Sequence, residues 1–361
     1  MGISADYYCL GWGVTTAVNA GSAGCCTFEG FRAFAARPSR TRLLALLNIS
    51  NAGLAFAGLG GDKESAGELE SVKLLDVKAC VDCVRANRDM IVGVKIRLSD
   101  SIANEGRNEA EGFDRAIKAV AEAGVPLMVH HSFSTVSLGD RPGRMRSGNI
   151  YTHTYHGFPS TIIEPSSHEV DPDVQRAKEK GVLFDLGHGQ GSFNWTVSEL
   201  ASRSAFWTHT ISSDLHSGNC EGPAYDLPTV MSRLLHLGMP LHEVIRQATL
   251  SPAEAIGWDD RIGTLGVERE ADVTVLSLDS VETELEDGQS QMRRIHQLLT
   301  SRAVWRAGTR FEITRPRQFP NWIMVESQRR WQNRLLIRDS SHSGIERIQS
   351  STQALLKENE P

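Results

Sequence analysis

Residues 91–131 read IVGVKIRLSDSIANEGRNEAEGFDRAIKAVAEAGVPLMVHH, and their order decides the fold class. An aliphatic run, Ile91–Leu98, leads into a helical pattern, Glu109–Ala123, and then into a second apolar run, Pro126–His131. Such a unit predicts two parallel strands joined by a crossover helix, because near-continuous apolar strands need cover on both sheet faces. Outward from it the alternation repeats. Further strand-like runs are Val14–Asn19, Leu43–Ile49, Asn149–His153, Gly181–Leu186 and Thr210–Ser213, with helical patterns at Asp171–Lys180 and Thr229–His236. Seven such strands give either an open doubly wound sheet or a barrel one strand short.

The strand ends choose between these. Lys95, His130, His153, His188 and Asp214 stand at or near the C-terminal ends of their runs. A barrel brings such ends to one mouth, where catalytic groups sit; an open sheet does not gather five of them around a point. The expected architecture is α/β, a TIM-type (β/α) barrel one strand short, over residues 1–258. Helices are expected at Leu241–Leu250 and Ser251–Ile256. Short strands at Ala271–Leu276 and Arg302–Ile313 then predict a small C-terminal β appendage over 259–320, and 321–361 read as a polar, frayed tail.

A chain of 361 residues suits a barrel of about 250 residues plus an appendage. With 40% hydrophobic and 23% charged residues it can bury a full core. A net charge of −6 without a basic stripe argues against a nucleic-acid partner. The Arg315–Arg334 stretch is broken by Phe319, Pro320, Trp322 and Ile323 and reads as a solvated face. No apolar run approaches the roughly 18 residues of a membrane helix, and the start lacks a secretory pattern, so a cytoplasmic location without a membrane partner is expected. Cys80-Val81-Asp82-Cys83 is a single CxxC without a second pair to complete a zinc site, and reads as two half-buried thiols. No G-x-S-x-G, P-loop or H-E-x-x-H occurs, leaving serine-hydrolase and kinase chemistry without support.

A charged lysine inside an apolar strand is costly unless paired or discharged. Lys95 is therefore either salt-bridged to a carboxylate or a desolvated amine that can react with carbon dioxide, giving a carbamate whose oxygens could bridge metals. His130 and His153 are either core histidines bonded to carbonyls or transition-metal ligands; their succession on strands after Lys95 favours ligands. His131 and His156 would point elsewhere. His188, flanked by Gly187, Gly189 and Gly191, reads as a substrate contact or a turn histidine. Asp214, in TISSDLH, is a metal ligand and proton acceptor or a helix cap.

The stretch ATLSPAEAIGWDDRIGTLGVEREADVTVLSLD (residues 248–279), with GVKIRLS, MVHH, THTYHG, LGHG and SSDLH in order before it, resembles the amidohydrolase superfamily. This superfamily includes dihydroorotases, and the likeness, over about Met1 to Thr314, is to its deacetylase-like subgroup. The resemblance implies hydrolysis of an amide or ester bond in a small molecule, with one or two divalent ions, zinc or similar. It implies Lys95 as an N6-carboxylated bridging ligand, His130 and His153 as ligands of the second metal, Asp214 as ligand and general base, and His188 beside the substrate. Residues 259–320 would be the remnant of a composite β-sandwich domain.

Two departures accompany it. The family's first strand carries a His-x-His pair, whereas no H-x-H occurs here and the opening MGISAD reads as starting past that strand. By that likeness the expected fold is a TIM-type (β/α) barrel lacking its first strand. Asn19 stands where the pattern has aspartate, which removes a charge near the mouth. A truncated barrel would carry two open edges, which contacts between copies in a homo-oligomer could cover. Three readings follow: a metal-dependent hydrolase with Asp214 as base; a catalytically impaired relative that binds a ligand or partner; and an unrelated open-sheet binding protein.

Overall fold

The computed structural model describes residues 2–56 and 67–313; the Arg315–Arg334 stretch and the polar tail lie outside the described residues. Six strands, β1 Thr16–Ala20, β2 Arg42–Asn48, β3 Ile91–Leu98, β4 Leu127–His131, β5 Ile150–Thr152 and β6 Leu183–Phe184, form one sheet. They pair in chain order and all in parallel. A doubly wound sheet reverses its strand order at a switch point; this one never does, so it is wound in a single direction, as barrels are.

The expected strand at Thr210–Ser213 is a ribbon rather than a regular strand. It joins β6's extension through a parallel bridge at Asp185–Thr210 and bonds from Leu186 N to Thr210 O (3.0 Å), His188 N to Ser212 O (3.1 Å) and Gly189 N to Ser213 O (3.1 Å). Gly187 and Gly189, at φ +53° and +56°, bend that extension and prevent a regular ladder.

Strand β3 is buried at its first six positions, as a strand covered on both faces should be. The helix Glu109–Ala123 buries Phe113, Ala116, Ala119, Val120 and Ala123 on a three-and-four spacing against β3 and β4, and stops at Gly124 in the left-handed region. No helix among the described residues is long and apolar enough to cross a membrane.

The C-terminal strands differ from expectation. The two short runs are parts of a long antiparallel hairpin, β7 Val273–Glu286 and β8 Met292–Arg306, closed by β9 Thr309–Phe311. Its middle was missed because its alternating polar positions resemble turns; they pair across the strands instead, Asp279 with Arg302 (2.9 Å) and Glu282 with His296 (2.7 Å). The small sheet expected there is present, and it packs on the rest of the fold. Every tip residue from Glu286 to Gln291 is buried, and Leu299 N of β8 donates to Ser232 Oγ in the helix Leu227–His236 (2.8 Å).

One buried carboxylate ties the sheet's last members together. Asp185, 3% exposed, accepts hydroxyl bonds from Thr152 of β5 (2.6 Å), and from Thr210 (2.6 Å) and Ser212 (2.7 Å) of the ribbon. Asp185→Ala would strand those hydroxyls and is expected to lower the unfolding free energy by about 3 kcal/mol in urea titration. A loss below about 1 kcal/mol, the range of ordinary surface changes, would mean that Asp185 does not fasten these strands.

Candidate active site

Lys95 lies on β3 opposite Asn48 of β2 and Met128 of β4, and is 4% exposed. Burial drives its amine down to about 8, with Arg97 adding to the fall; Asp214 and Asp185 pull upward without offsetting it.

His130, at the penultimate position of β4, is half-buried, and its ring centroid lies 4.2 Å from that of His153 at 71°. Burial, then the neighbouring His153, Lys95 and Arg97, hold it well below the usual histidine value, so the imidazole is neutral. Its Nε2 is 2.6 Å from Ser132 Oγ. His153 follows β5 directly at φ +64° and sets Nδ1 2.6 Å from Gly187 O. A carbonyl can only accept, so Nδ1 carries the proton and Nε2 keeps its lone pair. A Cβ on Gly187 would fall 2.8 Å from that Nδ1 and 2.3 Å from Thr152 Oγ1, so only glycine fits there.

Asp214 ends the ribbon at φ +46°, exposed at the rim, with Oδ2 facing Gly189. It acts electrostatically on Lys95, His153, Arg97 and His216. The helix-cap alternative fails, because the next helix begins at Leu227 and is capped by Asp226. His188 sits behind the rim. It is fully buried, its ring stacks on Phe193 (5.0 Å, 13°), Nδ1 donates to Gly189 O (2.9 Å), and Nε2 has no hydrogen-bond partner among the described residues.

As expected, His131 and His156 turn away: His131 bonds Tyr151 OH (3.0 Å) and Val136 O (2.9 Å), and His156 bonds His131 O (2.8 Å). Asn19 closes its own turn, accepting Ser22 N (2.9 Å) and donating to Ser22 Oγ (2.8 Å). The CxxC thiols are fully buried at Cys80 and half-buried at Cys83.

Sequence reasoning missed Arg97, Glu68 and Asp185. Arg97 stands two positions beyond Lys95 and so shares its strand face, a period-two signal that was readable. Its Nε and Nη2 fork onto the buried Glu68 carboxylate (2.5 and 2.8 Å), and Nη1 stands outside the fork. Glu68 follows no strand or helix pattern and gave no signal.

Among the described residues no three His, Cys, Asp or Glu side chains are close enough together to hold a metal ion. The donors are nonetheless of the right kind: neutral imidazole nitrogens, a carboxylate and a readily deprotonated amine.

Residues 101–308 match the profile of the amidohydrolase family. A protein named Deacetylase from Brucella anthropi is 32% identical over 297 residues, 80% of this chain and 70% of that protein. The crystal structure of an adenine deaminase has a TM-score of 0.79 at 28% identity, covering 85% of this chain and 81% of that one. That of a dihydroorotase has a TM-score of 0.75 at 29% identity, covering 86% and 79%. These likenesses make the singly wound sheet that of a TIM-like barrel and remove the unrelated open-sheet reading.

The depressed lysine has a measurable consequence. In protein stripped by a chelator, the buried ammonium opposes folding below about pH 8, and that penalty is relieved as pH rises from about 8 toward the unfolded value near 10. Lys95→Met should therefore be more stable than the wild type at neutral pH, with the gap closing by about pH 10 in urea titrations. A gap independent of pH would show that the amine is not desolvated.

Proposed function

The chain belongs to the amidohydrolase family and is a hydrolase, and from that premise we propose that it cleaves an amide or ester bond of a small molecule in deacetylase-like fashion, with a divalent metal ion and Asp214 as general base. The observation that supports this reading is the His130–His153 ring contact, 4.2 Å between centroids, with the buried Lys95 acting electrostatically on both rings and the Asp214 carboxylate on His153 and Lys95.

His130 and His153 would hold the ion through imidazole nitrogens, with Asp214 and a carboxylated Lys95 as the oxygen donors. When bound, the ion supplies Lewis-acid polarisation of the scissile carbonyl and acidifies water. The chain's own groups do the rest. Asp214 takes a proton from the attacking water as its oxygen bonds to the acyl carbon. Asp214 then returns the proton to the leaving nitrogen or oxygen as that bond to the acyl carbon breaks. Lys95, with its amine at about 8, has a neutral fraction near neutral pH that can add to carbon dioxide, forming an N–C bond and releasing one proton. Arg97 Nη1 would orient an anionic substituent of the substrate, and His188 Nε2, unbonded among the described residues, would meet the substrate from behind the rim.

The test is hydrolysis of p-nitrophenyl acetate and of N-acetyl amino acids by the full chain supplied with Zn²⁺. Asp214→Asn should cut kcat by roughly a thousandfold without changing the circular dichroism spectrum; undiminished turnover would remove Asp214 as base. Lys95→Ala should lose metal by elemental analysis, with partial recovery in propionate. Metal retained without Lys95 would make that lysine structural. Metal binding by the wild type with no turnover would favour the ligand-binding relative instead.

A further inference from the structure

We propose that the tip of the β7–β8 hairpin, Glu286–Gln291, is a positioning element of the active site, with Asp287 as the positioning residue. It acts through the loop that carries His188, and its effect on substrate rests on the hydrolase reading above.

The sequence Glu-Asp-Gly-Gln-Ser-Gln is what a solvent-facing hairpin turn would carry. Here all six residues are buried, which is costly unless their polar groups are bonded. Their partners lie largely on one segment. Asp287 Oδ2 accepts Trp195 N (3.0 Å), while its Oδ1 accepts Gln289 N (2.7 Å) and Gln291 N (2.9 Å). Gly288 N donates to Phe193 O (3.0 Å) and Gln289 Nε2 to Gly191 O. Asn194 Nδ2 donates to Gln289 Oε1 (2.7 Å), and Thr196 N and Oγ1 donate to Gln291 Oε1 (3.2 and 2.9 Å). The approach is so close that a Cβ on Gly288 would fall 2.6 Å from Gln190 O and from Gly191 Cα.

The gripped residues, Gly191–Thr196, continue the loop that leaves β6 and open the helix Trp195–Arg203. Gly187 O holds His153 Nδ1, His188 stacks on Phe193, and Gly189 faces Asp214 Oδ2. Phe193 and Trp195 lie in turn beneath the buried Arg233 guanidinium, whose Nη2 donates to Glu286 O (2.9 Å) and Pro223 O (2.6 Å). One buried polar network therefore runs from the small sheet to the loop that touches three candidate site residues. Such a shell sets the geometry of groups it does not itself bring to the substrate.

The test compares wild type, Asp287→Ala, Gly288→Ala and, as a control on the exposed face of the same hairpin, Glu282→Ala. Hydrogen exchange should speed up roughly tenfold or more across residues 187–195 in the two tip variants, with β2–β4 unchanged and the control like the wild type. In the same variants kcat/KM for p-nitrophenyl acetate should fall roughly tenfold, mostly through KM. Unaltered exchange in 187–195 overturns the proposal, as does exchange raised equally in β2–β4, which would make the tip merely structural. Faster exchange with kcat/KM unchanged overturns the link to the site. If the wild type shows no hydrolysis, the hydrolase reading fails separately, and exchange alone still decides whether the tip holds the loop. Gly288→Ala keeps the comparison available should Asp287→Ala not fold.

Discussion

The Asp185 carboxylate, buried beside β5 and the ribbon at 210–213, accepts three side-chain hydroxyls at 2.6–2.7 Å, and the order of the site follows from that knot. A carboxylate leaves water only where donors replace its hydration. Thr152, Thr210 and Ser212 supply them; Thr152 immediately precedes His153, and Ser212 lies two residues before Asp214. Holding those hydroxyls in register therefore holds the two strand ends in register. The same charge reaches Lys95 and His153, raising the proton affinity of both against the effect of burial.

Burial governs the chemistry of the remaining groups. Lys95, His130 and His153 share one poorly solvated region, where burial disfavours the charged form of each: the two imidazoles are neutral, and the amine, at about 8, gives up its proton more readily than an exposed lysine. Two neutral imidazoles and a readily deprotonated amine beside the Asp214 carboxylate suit a cation, whereas three fixed positive charges would repel it. Arg97 brings a permanent positive charge to the same face, but Glu68 engages two of its nitrogens and balances it. The neighbourhood can therefore carry a cation and an anionic ligand group without a large net charge of its own.

The sequence was most legible where local periodicity and burial agree. Ile91–Leu98 and Glu109–Ala123 have the observed bounds, because an unbroken apolar strand and an amphipathic helix each satisfy their own pattern. Legibility fell at β5 and β6, which shrink at both ends to Ile150–Thr152 and Leu183–Phe184; past their C-terminal ends the backbone turns into the left-handed region at His153 and Gly187. His153 turns into the left-handed region so that its ring can reach Gly187, and no residue pattern announces such a turn. The strand-end histidines were visible as types, while Arg97 needed the alternation to be followed one step further. Glu68 and Asp185 matter only through partners on other elements and could not be read locally.

The hairpin tip shows the same limit most sharply. Gln289 and Gly191 bond across 98 residues of chain, and Asp287 and Trp195 across 92. Read alone, Glu286–Gln291 is a polar turn, and its burial becomes intelligible only when the donors of Asn194–Thr196 are set against its acceptors. Burying a polar surface against another polar surface contributes little net stability, but it fixes relative position closely, since each bond tolerates only small displacements. An apolar interface of the same area would hold the small sheet to the barrel more strongly and locate it less exactly. That exchange of strength for precision is what a loop flanked by His153, His188 and Asp214 requires.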